Sequence, residues 1–95
     1  MDINKALRSA IETGKVHVGA RESCKAADAG TAKLVIISSN CPEEAATQVK
    51  ESKSPVHSFS GNNAVLGAAC GKPFPVSVVA ILDGGKSDIL SLKAD

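Results

Sequence analysis

The chain has 95 residues, 43% of them apolar and 22% charged, a balance that suits one globular domain built around one core. A formal net charge of +1 excludes a protein that holds nucleic acid by diffuse attraction, so any such partner has to be gripped by a local patch. No apolar run reaches the roughly 18 residues of a membrane span, and the opening Asp2, Asn4 and Lys5 do not form a signal peptide, so an unanchored cytoplasmic protein is expected.

Ile3, Leu7 and Ile11, with Ala6 and Ala10 beside them, recur at helical spacing, with Asp2 as the expected N-cap and Gly14 as the stop. A first helix is predicted over 3–13. Val16-His17-Val18 alternates as a short strand that ends at Gly19. Ala20, Cys24 and Ala27 then share one helical face and Arg21, Lys25 and Asp28 another, which predicts a second helix ending at Gly30.

Ala32-Lys33-Leu34-Val35-Ile36-Ile37 is continuously apolar after its lysine, the pattern of a central strand covered on both faces. In Asn40-Cys41-Pro42-Glu43-Glu44 the proline suits the first position of a third helix and the carboxylates suit its positive first turn. Ala45, Ala46 and Val49 supply that helix with a buried stripe. Pro55 to Phe59 reads as an edge strand because of its proline.

A fourth helix is predicted from a cap at Asn62 or Asn63 through Cys70, with residues small enough, Gly67 included, to approach the sheet closely. Val76 to Leu82 is a second buried strand, Asp83-Gly84-Gly85 a turn, and Ser87 to Leu92 a short last element. Helices alternating with strands define an α/β fold, a three-layer α/β/α sandwich with a central mixed sheet of about four strands. A single domain spans 1–95, with no repeat, linker or low-complexity segment.

Cys24, Cys41 and Cys70 are odd in number and contain no C-x-x-C pair, so they read as small buried thiols rather than a disulfide framework or zinc site. His17 and His57 sit in valine-flanked alternating runs and are expected to be ordinary strand residues. No metal, cofactor or catalytic constellation is expected, since no nucleophile, base and orienting group can be assembled.

Gly67 to Lys72 superficially resembles a phosphate loop of the form G-x-x-x-x-G-K-[ST]. Its two glycines enclose three residues rather than four, Pro73 replaces the hydroxyl residue, and Gly71-Lys72 follows a helix rather than preceding one. Gly71 is better read as a left-handed helix stop, with Pro73 and Pro75 stiffening the following loop. Phe74, one of two aromatic residues in the chain, lies between those prolines, where it either packs back over the domain edge or serves as a stacking platform for an unpaired base.

Ligands gather at the carboxyl ends of parallel strands in an open α/β sheet. The turns Val18-Gly19-Ala20-Arg21 and Ser38-Ser39-Asn40 lie at such ends, and Lys72 to Val76 joins them if the strand after it runs antiparallel. A helix start at Gly19 and Ala20, cations at Arg21 and Lys25, an amide at Asn40 and an aromatic at Phe74 would together grip a distorted RNA. Each residue also has a purely structural use: Arg21, Glu22 and Lys25 as a solvated helix face, Asn40 as a residue that starts a helix.

Gly19-Ala20-Arg21-Glu22-Ser23-Cys24-Lys25, Gly30-Thr31-Ala32-Lys33-Leu34-Val35-Ile36-Ile37, Ser39-Asn40-Cys41-Pro42, Ser60-Gly61-Asn62-Asn63 with Leu66-Gly67, Ala69-Cys70-Gly71-Lys72, and Ser87-Asp88-Ile89-Leu90 together resemble the ribosomal protein L30e family. The resemblance runs in order through nearly the whole chain. Its asparagine-cysteine-proline, glycine-asparagine-asparagine and cysteine-glycine-lysine pieces separate L30e from the wider L7Ae group.

The resemblance implies a non-catalytic constituent of the large ribosomal subunit in the cytoplasm, monomeric when free, that binds rRNA at a kink-turn or kink-turn-like element beside other large-subunit proteins. A stand-alone kink-turn protein of ribonucleoprotein particles, of the L7Ae type, is the alternative. The lack of an extension before Asp2 matches an archaeal form. The implied RNA-binding residues are Gly19, Ala20, Arg21, Glu22 and Lys25 at the second helix, Asn40 after the central strand, and Lys72, Phe74, Pro75 and Val76 in the late loop, with Phe74 and Val76 covering an extruded nucleotide. Departures from the family are a shorter stretch from Asn40 to Gly61, a third helix without aromatics, Glu43 and Glu44 where a basic residue is usual, and Pro75 at a position often basic. They imply weaker binding to free RNA.

Overall fold

The computed structural model describes residues 3–52, 54–87 and 89–91, so the expected cap at Asp2 and two residues of the last element, Asp88 and Leu92, lie outside the described residues. The order is α1 (Ile3–Thr13), β1 (Lys15–Val18), α2 (Ala20–Asp28), β2 (Leu34–Ile37), α3 (Glu43–Glu51), β3 (Val56–Ser58), α4 (Asn63–Ala69), β4 (Val78–Asp83) and a closing 3-10 turn at Ile89–Ser91.

The sheet runs β1-β4-β2-β3. β4 is antiparallel to both β1 and β2, whereas β3 is parallel to β2, so the sheet is mixed. The two interior strands are the two apolar runs, because only a strand flanked on both sides and covered on both faces buries every side chain. β2 is buried at all four positions and β4 from Val78 to Ile81. β3, preceded by Pro55, occupies an edge.

The period of two along the strands divides the core. Leu34, Ile36, Val79 and Ile81 face α1 and α4 through Leu7, Ala10, Leu66 and Ala69, with Ile89 closing the cluster. Val35, Ile37, Val78 and Ala80 face α2 and α3 through Cys24, Ala27 and Val49. The result is the expected three-layer sandwich. Ser23 is buried in the second interface, where its hydroxyl donates toward the His17 carbonyl (3.1 Å) and the Val78 carbonyl (3.3 Å), tying α2 to β1 and β4.

Several local expectations shift. Pro42 precedes α3 rather than opening it: its ψ of 138° is extended, and its carbonyl accepts the first helical bond from Ala46 at 3.0 Å. Ala45 and Ala46 are only half-buried, which leaves Val49 as the fully buried residue of α3. β4 begins at Val78 rather than Val76, because the Val76 N–H is taken by the Asn63 carbonyl at 2.9 Å instead of a neighbouring strand. Cys24 and Cys70 are buried as expected, but Cys41 is half-buried in the loop before α3.

Candidate nucleic-acid interface

The antiparallel course of β4 brings its N-terminal end to the carboxyl ends of β1 and β2. Four backbone bonds join the loops there. The Gly19 N–H donates to Val78 (2.9 Å), Ser38 to Ser77 (2.9 Å), Ser39 to Gly61 (2.9 Å) and Val76 to Asn63 (2.9 Å). The start of α2, the loop after β2, the start of α4 and the loop before β4 therefore share one edge of the sheet.

Gly19 adopts φ 113° and ψ 150° as the N-cap of α2, a backbone region that disfavours side chains, and it brings no side chain to cap the helix. Without a cap, the first-turn amides of this nine-residue helix are the positive end of a dipole. Ala20 is half-buried at the floor, while Arg21, Glu22 and Lys25 are exposed. Arg21 and Lys25 border a cleft whose opposite wall is Glu44 and Gln48 of α3. Gln48 also donates to the Asp28 carboxylate at 2.7 Å, holding the far end of α2 against α3.

Asn40 does not start α3, since no side chain caps that helix. Its amide turns instead toward α4. The Asn40 Oδ1 accepts from the Asn63 N–H at 2.7 Å and from the Ser38 hydroxyl at 3.1 Å, and its Nδ2 donates to the Asn63 Oδ1 at 3.2 Å. Asn62 caps α4 by accepting from the Val65 N–H at 3.0 Å.

The loop after α4 is set by two glycines. Gly71, at φ 75°, ends the helix in the left-handed region as expected. Gly67 lies against the Phe74 carbonyl and the Pro75 α carbon rather than against the sheet, and a Cβ there would overlap the carbonyl oxygen. Phe74 is 52% exposed, beside exposed Pro75, half-buried Lys72 and the Ala64 and Ala68 surface of α4. Val76 is different: its side chain, 2% exposed, belongs to the core cluster with Leu66 and Val79.

The sequence profile of the Ribosomal protein L7Ae/L30e/S12e/Gadd45 family matches residues 1–91. This chain belongs to that family. It is 44% identical over 94 residues to the large ribosomal subunit protein eL30 of Methanosarcina mazei, an alignment covering 99% of this chain and 91% of the relative. The protein of the same name from Methanoregula boonei is 47% identical over 94 residues (98% and 97% covered), and that from Methanocaldococcus jannaschii 42% over 96 residues (97% and 87%).

Within this L7Ae/L30e-family fold, three polar residues support the edge in ways that no local pattern signals. Ser23 is buried yet polar, so no apolar period points to it. Ser38 braces Asn40, and Asn63, which by local pattern is a candidate helix cap, donates its N–H to Asn40 Oδ1. The glycine-asparagine-asparagine stretch was the available signal, but its partner is 23 residues away in sequence. Burial, and less so Asp28, raises the Cys24 thiol; burial and Cys24 raise Cys41 against an opposing Lys50. Burial pushes Cys70 up to about 11, with Lys72 pulling the other way.

Proposed function

We propose that this chain is a non-catalytic constituent of the large ribosomal subunit in the cytoplasm, binding rRNA at a kink-turn or kink-turn-like element. The family membership and the printed names of the eL30 relatives support the ribosomal part of this reading. One geometric observation supports the RNA part: the uncapped start of α2, the Asn40 amide and the outward Phe74 loop lie at a single sheet edge, joined by backbone bonds.

On this reading Arg21 and Lys25 hold phosphates beside the Gly19 and Ala20 helix start, where aligned amides favour negative charge. Glu22 stands on the same first turn and limits how closely a phosphate can approach on its side. Asn40 addresses a base edge or the backbone, and Phe74, flanked by Lys72 and Pro75, covers an unstacked nucleotide. Glu43 and Glu44 at the start of α3 weaken the field near Asn40, so neighbouring rRNA and large-subunit proteins supply part of the affinity in the subunit.

Titration with a kink-turn RNA and a straight duplex of equal length tests the proposal. Tighter binding of the kinked RNA is expected, and equal weak binding to both would overturn it. Co-sedimentation with large subunits after a high-salt wash separates a ribosomal constituent from a stand-alone kink-turn protein.

A further inference from the structure

The Asn40 side chain is unusual for a recognition residue because most of its hydrogen-bonding capacity is already committed inside the protein. Both lone pairs of Oδ1 are used, one by the Asn63 N–H at 2.7 Å and one by the Ser38 hydroxyl at 3.1 Å. The backbone N–H can only donate, so it fixes which end of the amide is oxygen. Nδ2 spends one hydrogen on the Asn63 Oδ1 at 3.2 Å. One N–H remains.

Asn63 reaches the other half of the edge as well. Its carbonyl accepts from the Val76 N–H at 2.9 Å, directly after the Phe74-Pro75 segment. A single residue thus contacts the Asn40 amide with its N–H and side chain, and the aromatic loop with its carbonyl.

We propose that Asn63 is a positioning residue of this edge, holding the Asn40 amide so that it offers the ligand one N–H donor and no acceptor, at a fixed separation from the Phe74 loop. The inference rests on the RNA reading for its ligand. Its consequence is selectivity by hydrogen-bond sense: Asn40 accommodates a carbonyl, imine nitrogen or phosphate oxygen and rejects an exocyclic amine placed at the same point, because two donors would face each other.

Asn63→Ala removes the Asn63 side-chain amide and with it the acceptor for Asn40 Nδ2, leaves the Asn63 backbone bonds and the Asn62 cap in place, and puts a good helix former in α4. The test combines two readouts on the free and RNA-bound full chain. In the first, hydrogen exchange of the Asn40 Nδ2 protons is expected to be slow in the wild type, faster in Asn63→Ala, where Oδ1 stays held by the Asn63 N–H and Ser38 but Nδ2 has lost its acceptor, and slow again in Asn63→Asp, which keeps an acceptor. In the second, Asn63→Ala weakens the kink-turn RNA by roughly two- to tenfold, leaves the straight duplex unchanged, and adds no further loss in an Asn40→Ala background.

Asn40 Nδ2 protons that exchange as slowly in Asn63→Ala as in the wild type overturn the inference whatever the RNA data. So does a released amide with unchanged kinked affinity, or a loss that adds fully to Asn40→Ala, which would mean Asn63 touches the RNA itself. A wild type without preference for the kinked RNA instead overturns the functional reading, and the amide readout keeps the two failures apart.

Discussion

Gly67 lies in backbone contact with Phe74, with no room for even a methyl group between the α4 backbone and the Phe74 carbonyl oxygen. The loop is therefore wedged against the helix through its backbone, and the Phe74 ring is half exposed. Overpacking such a contact costs about 1–3 kcal/mol. Gly67→Ala is expected to lower Tm by several degrees and to weaken kinked-RNA binding as the loop shifts. Thermal unfolding followed by circular dichroism reads the first effect, and an unchanged Tm would contradict the wedge.

Phe74→Ala should behave in the opposite way. At 52% exposure the ring contributes little to the core, so Tm moves by no more than a degree or two, whereas loss of one stacked base removes about 1–3 kcal/mol of binding. Kink-turn affinity is expected to fall roughly 5- to 150-fold at every salt concentration, since stacking releases no counterions. A loss that disappears at high salt would assign the residue an electrostatic role instead.

Arg21 is exposed on the first turn of α2 and borders the cleft beside Lys25. If it neutralises a phosphate, Arg21→Ala lowers the slope of log affinity against log salt by about one unit and weakens kinked and straight RNA alike. Titrations across a salt series measure this directly. A slope equal to that of the wild type would leave Arg21 on a merely solvated face.

Cys70 sets a pH dependence of stability. Burial raises its folded-state pKa from 9.0 to about 11, so between those values the native chain retains a proton that the unfolded chain has lost. The contribution is complete below about pH 9 and disappears as pH rises toward 11. Urea midpoints should therefore decline more steeply over this window in the wild type than in Cys70→Ala. Parallel declines in the two proteins would mean that the thiol ionises without cost in the fold.

Most of the architecture was legible because it follows from periodicity. The apolar run Leu34 to Ile37 could only be an interior strand, and Asn62, Gly19 and Gly71 mark boundaries for local steric and hydrogen-bonding reasons. Local rules failed where the partner is distant. Val76 belongs to the same apolar run as Val78, yet Asn63 captures its amide and the core takes its side chain, so it leads into β4 instead of opening it. Gly67 reads as a glycine suited to a nearby sheet, and its actual neighbour is a loop. The structural alternative for Asn40, a residue that starts α3, fails because its amide braces α4 instead.

What the sequence determined by itself is therefore the element order and the two-sided core, since 3.6- and 2-residue periods, caps and glycine stops act over a few neighbours. Only the tertiary structure decided that β4 runs antiparallel between β1 and β2, and hence that Gly19, Asn40 and Phe74 share an edge. It also decided which hydrogen bonds remain available there. Asn40 and Asn63 are 23 residues apart, and no local pattern records that one spends most of the other's bonding capacity before any ligand arrives.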